Sequence, residues 1–125
     1  MTELKLKVLE ETFSVHRLNP LMAIPNAVTD SDVYFIGQTR DELSIVCFSD
    51  IEVPYALTES DWSCFMVVGP LDFNLTGIIS RISTILAEEK ISIFAISTFD
   101  TDYILVKHSD ISRAQKILSD AGYDV

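Results

Sequence analysis

Residues 91–107, ISIFAISTFDTDYILVK, contain two apolar runs separated by a polar centre. The runs ISIFAIS and DYILVK are short and rich in β-branched and aromatic residues, which predicts two neighbouring β-strands. The connection between them, residues 97–102, carries hydroxyl and carboxylate side chains but no glycine, proline or asparagine to make a tight turn. We therefore expect the side chains of this connection to do more than reverse the chain.

Upstream of this pair, the sequence predicts one strand followed by an amphipathic helix. Residues 62–69, WSCFMVVG, form a β-rich run, and residues 71–77, LDFNLTG, form a short polar loop. Asn74 or Thr76 is a suitable N-cap, and the helix is expected to end near residues 89–90. Its apolar stripe has 3.6-residue spacing and consists of Ile78, Ile79, Ile82, Ile85 and Leu86.

Downstream of the pair, a second helix and a last short strand are predicted. Residues 109–110, Ser-Asp, can cap this helix, and Gly122 lies just past its end. The apolar face of the helix comprises Ile111, Ala114, Ile117, Leu118 and Ala121. The tail YDV, residues 123–125, is expected to add one short edge strand. The element order of this half is therefore β-α-β-β-α-β, an α+β arrangement.

The first half of the chain is less regular. Four runs have the composition of strands: residues 4–10, 12–18, 32–38 and 42–48. The segment from Pro20 to Pro25 is too short and too rich in proline for a long helix. A shift of 60 residues aligns residues 33–50 with residues 93–110, with four identities in 18 positions. Either two related halves meet in the acidic segment 49–61, or apolar strands coincide by chance.

Composition and charge limit the kinds of partner. Of the 125 residues, 48% are hydrophobic and 22% are charged, as in globular proteins. The net charge of −10 opposes binding to nucleic acid backbones and to anionic membrane surfaces. Residues 1–13 lack the apolar run of a signal peptide, and no stretch reaches the roughly 18 apolar residues of a membrane span. We expect a cytoplasmic protein that binds neither nucleic acid nor membrane.

Residues with metal-binding or nucleophilic side chains are few. Cys47 and Cys64 lie inside apolar runs, which favours reduced core cysteines over a disulfide or a metal site. His16 and His108 have no cysteine or carboxylate at metal-ligand spacing, and the sequence contains none of the common zinc, nucleotide or hydrolase motifs. We therefore expect structural or surface histidines, no metal, no cofactor and no catalytic residues.

Asp100 and Asp102 have a spacing that would suit paired carboxylates. At a strand end, residues two apart share a face, as the partners in acid–base catalysis often do. Alternatively, both carboxylates accept backbone N–H groups and hold the connection together. We favour the structural interpretation, and the catalytic one remains as an alternative.

The loop before the first helix is better suited to binding. The N-terminus of a helix presents unpaired N–H groups that attract carboxylates, and Gly77 lets a ligand approach the backbone there. A small zwitterion would place its carboxylate at these amides and its ammonium near Asp72 or Asp102. In the alternative interpretation, Asp72 and Asn74 only cap the helix while Phe73 packs into the core.

Residues 62–125 resemble the ACT domain, a β-α-β-β-α-β regulatory module that binds amino acids. The segments GPLDFNLTGIIS, residues 69–80, and ISIFAISTFDTDYILVK look like the small bacterial tandem-ACT proteins, which are similar to the regulatory modules of aspartate kinases and to cytosolic arginine sensors. The resemblance implies two ferredoxin-like modules in tandem, a divergent one at residues 1–58 and a second at 59–125.

The resemblance also implies a ligand site at an interface between ACT modules. Thr98 and Phe99 would offer backbone and ring contacts, and Asp102 would supply the counter-charge for an ammonium or guanidinium group. Asp100 lies outside the set. The implied ligand-binding residues are Asp72, Phe73, Asn74, Leu75, Thr76, Gly77, Ser97, Thr98, Phe99, Thr101 and Asp102.

We expect a non-catalytic regulatory protein that binds a free amino acid or a similar small metabolite. Because neither a kinase domain nor an output domain accompanies the module, binding would act through a homo-oligomer such as a dimer, or through a metabolic enzyme as partner. The main alternative is a structural module for self-association or enzyme contact that binds no metabolite.

Overall fold

The computed structural model of the chain describes residues 4–72 and 76–125. Its helices and strands are, in chain order, β1 (Leu6–Val8), β2 (Phe13–Leu18), α1 (Asn26–Thr29), β3 (Phe35–Gln38), β4 (Leu43–Phe48), β5 (Leu57–Val67), α2 (Ile78–Glu88), β6 (Ile93–Ser97), β7 (Asp102–Lys107) and α3 (Ile111–Asp120), with a 3-10 turn (His108–Asp110) before α3.

The chain divides into two compact units. Unit 1 comprises Met1–Glu10 together with Trp62–Val125, and unit 2 comprises Glu11–Asp61. Strand β1 thus belongs with the C-terminal half of the chain, which local sequence patterns do not indicate. The division into modules at residues 1–58 and 59–125 remains a prediction about domain organisation.

The sheet of unit 1 is antiparallel, with strand order β1-β5-β7-β6. Phe65 of β5 lies opposite Val8 on one side and Ile104 on the other. Because partners in antiparallel strands share a face, these apolar residues form one continuous surface. Helices α2 and α3 bury it. The fully buried members of this core include Phe65, Val67, Ile82, Leu86, Leu118, Ala114 and Val106.

Both predicted helical stripes of unit 1 are confirmed. Ile82 and Leu86 of α2 and Leu118 of α3 have no exposed surface. The neighbouring stripe residues, including Ile78 and Ile85, are partly buried against the same core. Their periodicity therefore identifies packing positions, as 3.6-residue spacing usually does.

The C-terminal strand prediction is wrong in detail. Gly122 has a φ of 105° and turns the chain after α3, which leaves three residues. Asp124 then forms a single parallel bridge with Lys5, and the strand beside β5 is β1. The tail is too short to supply a full edge strand, and it contributes this single bridge instead.

Unit 2 has the order β2-α1-β3-β4, with an antiparallel sheet of order β3-β4-β2. Helix α1 is one turn long and follows Pro25, in agreement with the prediction that this region holds no long helix. Val28 of α1 is fully buried among Leu18, Leu43 and Ile45 of the sheet. Within the described residues, unit 2 contains no second helix.

Cys47 and Cys64 are buried free thiols, as predicted. Burial, with a smaller contribution from Asp50, raises the pKa of the Cys47 thiol to about 11. Burial raises the pKa of the Cys64 thiol to about 12. Because the thiolate is the reactive form, both side chains act as small apolar core residues.

His16 is buried in unit 2. Its Nδ1 shares a hydrogen bond of 2.8 Å with the Thr58 hydroxyl, and its Nε2 has no hydrogen-bond partner among the described residues. Burial lowers the pKa of His16 from its ordinary value of 6.5. His108 in unit 1 shares a 2.8 Å hydrogen bond with the Ser63 hydroxyl. Both contacts fit structural histidines.

We expect the stability of the fold to fall as the pH drops below 6.5. In the window between 6.5 and the lowered pKa of His16, the unfolded chain binds a proton at this residue and the folded chain does not, so stability rises with pH there. His16→Gln, which cannot titrate, should flatten this part of the profile in urea unfolding, and the matched variant His108→Gln should retain it. If His16→Gln leaves the pH dependence of the free energy of unfolding unchanged, His16 is not its cause.

Candidate functional site

A cleft of about 330 Å³ lies in unit 1 between the start of α2 and the connection of β6 with β7. One wall consists of the loop after β5 and the first turn of α2. The other wall is the polar connection at residues 97–102. The lining residues are Leu71, Asp72, Gly77, Ile78, Ile79, Ser80, Ser97, Thr98, Phe99, Asp100, Thr101 and Asp102.

The two motifs singled out in the sequence thus line one cleft. The predicted ligand-binding residues found there are Asp72, Gly77, Ser97, Thr98, Phe99, Thr101 and Asp102. Thr76 is described but is not part of the lining. Phe73, Asn74 and Leu75 lie outside the described residues. That these side chains bind a ligand remains a prediction.

Sequence reasoning missed several residues of the lining. Ile78 and Ile79 were assigned to the buried stripe of α2, but both are only partly buried and border the cleft. Their position directly after Gly77, in the first helical turn, was the sequence feature that could have identified them as lining residues. Asp100 was left out of the predicted set and also lines the cleft.

The N-terminus of α2 borders the cleft. Gly77 is the N-cap residue, with a φ of 79°, so the predicted cap at Thr76 is wrong. The chain needs this left-handed conformation to enter the helix, and glycine adopts it without strain. Apart from its chain neighbours, no atom of residues 4–72 and 76–125 would lie within 4 Å of a Cβ on Gly77.

The backbone amides of this helical turn are suited to an anion. The first N–H groups of a helix lack intrahelical partners, and here the Arg81 N–H is bonded to the Gly77 carbonyl at 2.9 Å. The first turn of α2 carries no acidic residue. The partial positive charge of the helix N-terminus therefore faces the cleft without a carboxylate in that turn to neutralise it.

The opposite wall is acidic. Asp102 is half-buried, and its Oδ1 accepts a hydrogen bond of 2.6 Å from the Ser97 hydroxyl. Asp100, on the same wall, is exposed, and so is Asp72 in the loop after β5 on the other wall. The described lining contains three aspartates and neither lysine, arginine nor histidine. The cleft thus combines a region that attracts anions with one that attracts cations.

Phe99 marks the rim of the cleft. Its side chain is 79% exposed, whereas Thr101, two residues later, is 7% exposed. An exposed ring beside a polar cleft offers a flat apolar surface to a ligand or to another protein.

The described part of the chain offers neither a candidate metal site nor a candidate membrane-spanning helix. Among residues 4–72 and 76–125, no group of three or more His, Cys, Asp or Glu side chains is placed to hold a metal ion. No helix in these residues has both the length and the apolar character needed to cross a membrane.

Comparison with protein families assigns the unit that holds the cleft. A model of the ACT domain matches residues 57–120, just over half of the chain. The chain belongs to the ACT-domain family. A separate model of an N-terminal domain matches residues 11–55. No curated protein sequence matches the chain.

Solved structures show the same fold. A protein from Agobacterium tumefaciens has 36% identity and a TM-score of 0.89, with 98% of this chain and 92% of that chain covered. A Vibrio cholerae protein of unknown function, named as a possible transport protein, has 16% identity and a TM-score of 0.71, with 94% and 89% covered.

The ligand-free regulatory subunit of aspartate kinase from Thermus thermophilus is a third likeness. It has 10% identity and a TM-score of 0.67, with 94% of this chain and 96% of that chain covered. At such identities the likeness concerns the fold alone. The regulatory, ligand-binding role is indicated by the ACT-domain match over residues 57–120.

Proposed function

We propose that this ACT-domain protein is non-catalytic and binds a free amino acid, or a similar small metabolite, in the cleft of unit 1. The observation that carries the proposal is the pairing of an open helix N-terminus with acidic side chains across one cleft of about 330 Å³. A zwitterion has charges of the matching signs. Its size also suits a cleft at the lower end of the range for small-molecule sites.

The proposed orientation follows from the two charged ends of the cleft. The ligand carboxylate lies at the backbone amides of Ile78 and Ile79, where the helix dipole favours an anion. Its ammonium lies near Asp102, with Asp72 at the mouth. The side chain of the ligand extends toward Phe99 at the rim.

We also propose how ligand binding regulates the chain. We propose that the chain carries two ACT modules in tandem, a divergent one at residues 1–58 and a second one at residues 59–125. Ligand binding would change the equilibrium between assembly states of the chain, or its contact with a metabolic enzyme in the cytoplasm, because an effector acts by differential affinity for two states.

Thermal-shift measurements with each standard L-amino acid test the proposal. A ligand at 100 times its dissociation constant stabilises the folded chain by about 2.7 kcal/mol. At least one amino acid should raise the unfolding temperature at millimolar concentration. Its carboxamide derivative should not, because it lacks the carboxylate for the helix N-terminus. The proposal fails if none of the amino acids stabilises the chain.

A structural interaction module is the second candidate, and the exposure of Phe99 favours it. A ring that is 79% exposed at the rim of the cleft is suited to contact with another subunit or an enzyme. Phe99→Ser would then change the mass measured by light scattering, while no amino acid would stabilise either form.

A further inference from the structure

Thr101 differs from the rest of the polar connection. Residues 97–100 are exposed, whereas the side chain of Thr101 is 7% exposed. Its hydroxyl donates a hydrogen bond of 2.5 Å to the carbonyl oxygen of Val67, at the end of β5. A hydroxyl has one proton, so this donor is already used inside the protein. Although Thr101 borders the cleft, its hydroxyl has no proton left to donate to a ligand.

The backbone of Thr101 closes the turn between β6 and β7. Its carbonyl oxygen accepts the Thr98 N–H at 2.8 Å and the Thr98 hydroxyl at 3.1 Å. Its N–H points to the Thr98 hydroxyl oxygen at 3.3 Å. The turn is therefore fixed from both ends, and Thr101 ties it to β5.

The same turn is bonded to the opposite wall of the cleft. The Leu71 N–H, in the loop after β5, donates to the Asp100 carbonyl oxygen at 2.7 Å. This loop runs so close to the turn that a Cβ on Gly69 would lie 3.1 Å from the Asp100 carbonyl oxygen and 3.3 Å from the Thr101 Cβ. This hydrogen bond thus joins the two walls of the cleft.

The register of the sheet explains why a side chain is needed here. The last backbone pair between β5 and β7 is Met66 with Tyr103, and Thr101 lies beyond it. The Thr101 hydroxyl continues the attachment of the connection to β5 past the end of the ladder. Valine has nearly the same shape as threonine but cannot donate this hydrogen bond.

We propose that Thr101 is a positioning residue that sets the width of the cleft by fixing the turn at residues 98–101 to the end of β5. This inference rests on the proposed function for its consequence in ligand binding. Loss of the hydroxyl would leave the Val67 carbonyl without its side-chain donor and let the turn move away from the Leu71 loop.

The test compares Thr101→Val with Thr101→Ser, which keeps the hydroxyl. Amide hydrogen exchange at Leu71 and Thr98 should accelerate about tenfold in Thr101→Val, as expected for the loss of about one hydrogen bond. It should stay within about threefold of wild type in Thr101→Ser. Thr84→Val is a matched control, since Thr84 is exposed on α2 and does not line the cleft.

Binding of the standard L-amino acids provides the second measurement. For the amino acid that binds the wild-type chain, Thr101→Val should raise the dissociation constant about tenfold. Thr101→Ser should leave this dissociation constant unchanged. If Thr101→Val does not fold, Thr101→Ala, which also lacks the hydroxyl and adds no bulk, takes its place in both measurements.

Three outcomes would overturn the inference. The first is that Thr101→Val leaves amide exchange at Leu71 and Thr98 unchanged. The second is that Thr101→Val and Thr101→Ser lose amide protection and ligand affinity equally. The third is that exchange accelerates in Thr101→Val while the dissociation constant stays the same. The exchange measurement needs no ligand. It therefore supports or overturns the positioning role even if the wild-type chain binds no amino acid, a result that would defeat the proposed function instead.

Discussion

Replacement of Gly69 by alanine will destabilise the protein by about 1–3 kcal/mol, the usual cost of forcing atoms into a packed site. The new Cβ would lie 3.0 Å from the Leu71 backbone nitrogen and 3.1 Å from the Asp100 carbonyl oxygen. Both neighbours are backbone atoms, and a hydrogen bond of 2.7 Å joins them. Neither atom can move away from the other without breaking this hydrogen bond. The loop and the turn must separate to accept the methyl group.

Urea unfolding of Gly69→Ala measures this cost, with Gly37→Ala as the control. A Cβ on Gly37 would meet no described atom within 4 Å, so this variant should differ from wild type by less than about 0.5 kcal/mol. Amino-acid stabilisation should also decrease in Gly69→Ala, because the walls of the cleft move apart. Equal stabilities of the two alanine variants would contradict the close approach at Gly69.

Replacement of Asp102 by asparagine will remove most of the stabilisation that a bound amino acid provides, about 2.7 kcal/mol at 100 times the dissociation constant. Asparagine retains an oxygen that can accept the hydrogen bond from the Ser97 hydroxyl, so the connection keeps its shape. It lacks the negative charge that pairs with the ammonium of the ligand. Stability without ligand should change by no more than about 1 kcal/mol.

Asp100→Asn is the matched control for this prediction. Asp100 borders the same cleft, but its side chain is exposed, and water screens its charge more strongly than that of half-buried Asp102. Thermal shifts with the amino acid should therefore be retained in Asp100→Asn and lost in Asp102→Asn. The opposite pattern would show that the wrong carboxylate was assigned to the ligand.

The helices and most strands of unit 1 were predictable because they depend on local patterns. Ile82, Leu86 and Leu118 lie on stripes whose period is that of a helix, and the runs around residues 97–102 have the composition of strands. The cleft was partly predictable for the same reason. The loop before α2 and the connection of β6 with β7 are both polar breaks between apolar elements.

Long-range pairing was not predictable in this way. Strand β1 pairs with β5, about 60 residues away, and only tertiary packing selects this partner. The N-cap residue Gly77 has a positive φ, which glycine adopts readily. The neighbouring Thr76 is a more usual N-cap residue type, so the sequence favoured the wrong position. The role of Thr101 depends on its distance from Val67, and nothing in the connection itself distinguishes this threonine from Thr98.

Titration of the isotopically labelled protein with the stabilising amino acid, followed by the amide chemical shifts in NMR spectra, tests the central claim most directly. We expect the largest shifts at Gly77, Ile78 and Ile79 and at residues 97–102, with much smaller changes in unit 2. Shifts concentrated in unit 2, or an absence of shifts at the start of α2, would contradict it.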